Sequence, residues 1–171
     1  MANLDDAHEA AAIVRDAGGQ IVGRTRLQKI AFVLEAAGLG SGFPFRYKHY
    51  GPYSEQLTAA SQRARVLGVM REIESVAAWG GVYSTFTATM PQDSNLDPAR
   101  RRLAQEMVNA DAVELELAAT ALFLSYESAP DPWGETEHRK PDKAANGRLD
   151  RAKQLYQRLR RIQTPQPLPE L

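Results

Sequence analysis

Cysteine is absent from the 171 residues. Disulfides, thiolate metal sites and cysteine nucleophiles are therefore excluded. Long apolar runs are also missing. The longest, residues 117–124, contains Thr120 and falls far short of the ~18 residues that cross a bilayer. The opening Met1-Ala2-Asn3-Leu4-Asp5-Asp6 is acidic and carries no basic segment followed by an apolar one, so no secretory signal is expected. These absences predict a soluble, cytoplasmic chain with no membrane partner.

Histidine is scarce, and His8, His49 and His138 fall in no metal-ligating spacing. His49 reads as a packed or hydrogen-bonded residue in a strand. No G-x-S-x-G, P-loop or G-x-G-x-x-G motif occurs, and Gly38-x-Gly40-x-Gly42 reads as a flexible loop. Glu114 and Glu116 fall on different faces of a helix, so they do not converge as an acid–base pair. The sequence predicts no enzyme, no cofactor and no metal.

Formal net charge is zero, which argues against a protein that coats nucleic acid non-specifically. The charge is unevenly distributed. Residues 109–137 hold seven Asp/Glu and no Lys/Arg, and residues 138–161 hold nine Lys/Arg against two Asp/Glu. The two blocks either pack on each other or offer the basic one to a partner. Residues 23–91 carry a smaller surplus, eight Lys/Arg against four Asp/Glu.

Apolar periodicity predicts a mainly α chain with a small β-sheet, of the α+β class, folded as one domain over 1–163. A first helix over 4–17 is capped by Asn3 or Asp5 and stopped by Gly18-Gly19. A second runs from Gly23 to Ala37 with Leu27, Ile30, Ala31 and Leu34 inward. Phe45 to Tyr50 alternate as one short strand, broken by Gly51-Pro52. Ser54 caps a third helix, Glu55 to Leu67. A strand from Val69 turns at Gly80-Gly81 and returns over 83–89. Asp97 with Pro98 starts a fourth helix. A fifth covers Ala112 to Tyr126, residues 130–134 are irregular, and a sixth covers Lys143 to Arg161. Residues 164–171 hold three prolines and read as a frayed, flexible tail. The element order over 4–90 is winged-helix-like, with the helices of 97–162 packed onto it.

Two segments carry a resemblance. They are Gly23-Arg24-Thr25-Arg26-Leu27-Gln28-Lys29-Ile30 and Tyr47-Lys48-His49-Tyr50-Gly51-Pro52-Tyr53-Ser54-Glu55-Gln56-Leu57. Together they resemble the YwgA-like bacterial protein family, related in pattern to the Panacea antitoxin domain and the SocA antitoxin. Arg24, Leu27, Gln28 and Lys29 match the first element, and Tyr50 to Ser54 match the second. Arg26 stands where the family often has lysine. Leu117 to Thr120 and Arg139-Lys140-Pro141 match its later helices more weakly. The resemblance implies a winged-helix-like fold, a bacterial origin and a role in toxin neutralisation or regulation.

The residues themselves leave two readings open. Arg24, Arg26 and Lys29 crowd the first turns of a helix, where cations oppose the macrodipole. They need an anionic neighbour, either internal, as in the 109–137 block, or on a partner. Tyr47, Tyr50 and Tyr53 can form an exposed aromatic patch suited to a protein interface. Gly51, Pro52 and Ser54 form a structural elbow. The expected function is a non-enzymatic regulatory module that controls a partner protein, such as a toxin or a co-encoded enzyme. The alternative is a winged-helix transcriptional regulator of double-stranded DNA, read by Thr58, Gln62, Arg63 and Arg65 of the third helix. A DNA reader needs a contiguous basic surface over that helix and the 69–89 hairpin. A protein binder needs an aromatic patch rimmed by mixed charge.

Overall fold

The computed structural model describes residues 4–171, so Asn3, one of the two expected caps, lies outside the described residues. The fold is mainly helical with two small antiparallel sheets, in the α+β class. Eight helices occur among the described residues, and none of them is long and apolar enough to cross a membrane.

Helix α5 (Ala112–Tyr126) is the hub. Its residues from Leu115 to Leu122 are all buried, so it is enclosed on every side, as its apolar sequence requires. Around it pack α2 (Arg24–Ala36), α6 (Pro132–Arg139) and α8 (Arg148–Arg160). Helix α1 (Leu4–Asp16) lies against α3 (Glu55–Val66) and α4 (Pro98–Val108). Its last residue, the buried Asp16, receives Arg15 and Arg100, each at 2.8 Å. Arg100 also donates to the Leu39 carbonyl at 2.7 Å, strapping α4 across the end of α1.

Strands β1 (Gln20–Val22), β4 (Met70–Val76) and β5 (Val82–Ala88) form an antiparallel sheet in the order β1-β5-β4. Ile21, Phe86 and Glu72 align across it on the face turned to the core, and Val22, Thr85 and Ile73 align on the other. Strands β2 (Arg46–Lys48) and β3 (Gly51–Tyr53) pair separately.

The expected caps at Ser54 and Asp97 accept from Leu57 N–H at 3.1 Å and Ala99 N–H at 2.8 Å. Four expectations are corrected. The single strand over 45–50 is a hairpin, because Gly51 takes a φ of 88° and turns the chain back. Residues 130–134 are not irregular throughout. Asp131 caps α6 by accepting from Gly134 N–H, and Pro132 takes the first helical position. The last helix is interrupted, since Asn146 and Gly147 at positive φ separate α7 (Pro141–Ala144) from α8.

The fourth correction is the tail. Residues 164–171 do not fray, for Leu168 is buried and Tyr156 donates its hydroxyl to the Pro169 carbonyl at 2.5 Å. Gln166 N–H also donates to the Ala37 carbonyl at 3.0 Å. Proline-rich composition marks a segment that cannot be helix. It does not mark one that cannot pack.

Candidate functional site

The two segments that carry the resemblance meet in space. The buried Gln28 amide brackets the backbone of Ser54, donating to its carbonyl at 3.0 Å and accepting from its N–H at 2.7 Å. The next residue, Lys29, 1% exposed, donates to the Pro52 carbonyl at 2.7 Å. From the far side Lys140 donates to the His49 carbonyl at 2.9 Å. Two lysines and a glutamine thus satisfy the backbone of an elbow too short to satisfy itself. Gly51 belongs to the same clasp: a Cβ there would lie 2.5 Å from Thr120 Oγ1 on α5.

Glu116 offsets part of the charge of this clasp. Buried on α5, it accepts from Lys140 at 2.9 Å and from Lys143 at 2.8 Å. Burial pushes the Lys29 ammonium down from 10.5 to about 8. Glu116 pulls it back up, and Lys140 and Lys143 push it lower. The acidic and basic blocks therefore do pack together, and Glu114 with Arg151 at 3.0 Å adds a second contact.

The residues expected to meet a partner are dispersed. Lys29 is buried. Arg26 is half-buried, with its guanidinium lowered by burial, and it donates to the carbonyls of Val22, Val108 and Ala110. Arg24 is exposed but held by Glu72 at 2.9 Å and Glu74 at 3.0 Å. The anionic neighbours of this cluster are thus internal. Tyr47 and Tyr53 are half-buried, and the Tyr53 hydroxyl pairs with Thr58 Oγ1 at 2.6 Å. Tyr50 alone of the three rings is well exposed. Gly51, Pro52 and Ser54 are buried, as an elbow requires.

Of the nucleic-acid candidates, Gln62 and Arg65 are exposed on α3 and Arg63 is half-buried, while Thr58 is engaged by Tyr53 and Gln28. Arg65 lies 3.7 Å from Glu72. Burial alone would raise the Glu72 carboxyl, but hydrogen bonds from Ser84 and Arg24 hold it below the usual carboxylate range. It therefore stays charged beneath α3 and sets an anion against the cations there.

Two surfaces escape the sequence reading. The first is the β4–β5 hairpin, where Val76, Trp79 and Val82 are 73%, 79% and 63% exposed, flanked by Ile73 and Tyr83. The Trp79 ring lies so close over Gly81 that a Cβ there would overlap it. The second is a cleft of about 810 Å³ between the β2–β3 turn and the α6–α7 junction, lined by Tyr47, Lys48 and His49 on one side and residues 139–143 on the other. Strand periodicity conceals the first, because alternation alone does not say whether a sheet's second face is covered. The second joins residues about ninety positions apart, although Arg139-Lys140-Pro141 carried a weak signal.

No protein-family model matches the chain. Over 156 aligned residues, which span 84% of this chain and 90% of the relative, it is 28% identical to YwgA, an uncharacterized protein of Bacillus subtilis, to which it is distantly homologous.

Proposed function

We propose that this chain is a non-enzymatic regulatory module that binds and controls a partner protein, as an antitoxin or adaptor does, through its β4–β5 hairpin. The observation that carries this reading is the exposed apolar tip of the hairpin, with Trp79 at the turn, Val76 and Val82 paired on one face and Ile73 and Tyr83 on the other, beside the charged Arg24, Arg71 and Glu74. Large apolar side chains left exposed beside charged ones mark a protein interface, and tryptophan is among the residues most often dominant there. Trp79 is also preorganised by its seat on Gly81, which lowers the entropy cost of docking. The order β1-β5-β4, reached through helix, strand, helix, the short β2–β3 pair, helix and a hairpin, supports a winged-helix reading in which this last hairpin is the wing.

A wing that follows DNA needs basic residues over α3 and the hairpin together. Here Glu72 and Glu74 occupy the hairpin, and they draw Arg24 and Arg65 onto themselves. That favours a protein over a duplex.

The test is affinity purification from the native host with three forms of the chain: unaltered, Trp79→Ser, and Gln62→Ala with Arg65→Ala. The expected outcome is one stoichiometric partner protein retained by the unaltered and α3-altered forms and lost from Trp79→Ser. Recovery of a specific DNA fragment that the α3 variant loses would replace this reading with that of a transcriptional regulator. A hairpin contact to a second copy of the chain, seen as a dimer of the purified protein that Trp79→Ser dissolves, would also overturn it.

A further inference from the structure

The cleft beside the elbow is not used by the hairpin reading and stands apart from it. Its walls carry Lys48, Arg139, Lys140 and Lys143 against a single carboxylate, Asp142. Behind them the imbalance deepens. Glu116 is the buried carboxylate to which Lys140 and Lys143 both bond, and the buried Lys29 lies within its field. Three ammoniums thus share one buried carboxylate, which leaves a surplus of positive charge behind the cleft. Buried or half-buried charge is tolerated when it is paired, and a dianion entering the cleft would supply the pair.

The outer cations can respond to such an ion. Lys48 is held by Glu55 and Arg139 by Glu135, both as surface pairs with partly exposed partners. Pairs of that kind contribute little to stability, so their carboxylates give way readily to a stronger anion. The cation heads are also supported on rings. The guanidinium of Arg139 lies 4.9 Å from the Tyr47 ring centre, and the Lys143 ammonium lies 4.6 Å from that of Tyr50. Stacking fixes their positions while leaving N–H groups free to donate.

We infer that this cleft binds a small phosphate-bearing anion of the class of pyrophosphate or a nucleotide, with Arg139 and Lys48 as outer clamps and Lys143 as the inner ammonium. Cations converge from two walls, β2 on one side and the α6–α7 junction on the other. A tetrahedral phosphoryl group presents oxygens to both, whereas a planar carboxylate matches a single fork. The volume of about 810 Å³ falls in the range of roughly 300–1,000 Å³ typical of small-molecule sites. Tyr47 supplies an apolar floor for whatever the phosphate is attached to.

Calorimetric titration of the whole chain with pyrophosphate, ATP, citrate and a phosphoserine peptide tests this, each at matched ionic strength. Pyrophosphate or ATP is expected to bind with one-to-one stoichiometry. The double variant Lys48→Gln, Arg139→Gln should weaken that binding by about tenfold or more, the scale of losing one or two charge-assisted hydrogen bonds. Both altered side chains are partly exposed, and an unchanged thermal unfolding midpoint would verify the fold. The proposal is overturned by the absence of saturable binding of pyrophosphate and ATP, by equal binding to the double variant, or by citrate binding as tightly as pyrophosphate. Preference for the phosphopeptide over both small phosphates would replace the small ligand with a modified protein.

Discussion

Lys29 shows how one side chain changes meaning between sequence and structure. In the sequence it is one of three cations near a helix start, open to an acidic partner. In the fold it is a buried donor to the Pro52 carbonyl, and burial pushes its pKa down to about 8. Its folded pKa lies below the unfolded value, so between about pH 8 and 10.5 the unfolded chain keeps a proton that the folded chain has lost. Unfolding free energy should therefore rise with pH across that window, while the cost of burying the charge is fully present below it. The rise is on the order of 3 kcal/mol, from a value lowered from 10.5 to about 8. Urea unfolding of the unaltered chain and of Lys29→Met across the window measures it; parallel pH profiles for the two would remove the assignment to Lys29. Gly51 gives a second prediction. At a φ of 88° and with Thr120 Oγ1 2.5 Å from where a Cβ would sit, Gly51→Val meets both strain and overlap. A loss of about 3 kcal/mol or more in thermal or urea unfolding is expected, and a loss within experimental error would show that α5 yields at Thr120.

At the scale of elements, the β4–β5 hairpin invites a separate test. Gly81→Ala places a methyl group where the Trp79 ring lies, yet both residues are at the tip of an exposed turn. The variant should keep its unfolding midpoint and lose the native emission spectrum of Trp79, because the ring must leave its seat; Trp133→Phe as background removes the other tryptophan signal. An unchanged spectrum would mean that the ring is not held there. The helices were legible in the sequence because their signals are local: α3 follows from Ser54 and a stripe of Leu57, Ala60 and Ala64, and α5 from its continuous apolar run. The clasp was half legible. Both of its segments stood out as motifs, but that Gln28 reads the backbone of Ser54 is a contact across 26 positions with no periodicity to announce it. Nothing in the sequence marks Trp79, because its exposure depends on which faces of the hairpin the rest of the fold covers.

At the scale of the whole molecule, the C-terminal segment closes the fold. Leu168 is buried, and Tyr156 and Arg160 of α8 both donate to carbonyls within 168–169. Removing residues 164–171 should lower stability by about 2–4 kcal/mol, from one lost apolar anchor and a few hydrogen bonds. Differential scanning calorimetry of the shortened chain decides it, and an unaltered midpoint would restore the view of a loose tail. The sharing of Glu116 has a genetic corollary. Three lysines answer to this carboxylate, so losses on the two sides are unequal: dropping Lys143 relieves repulsion, whereas Glu116→Gln abandons every ammonium at once. A screen for restored folding in a Glu116→Gln background should therefore recover second-site suppressors at Lys143, which serves no elbow carbonyl, and the cluster should change, when it changes, by compensating pairs.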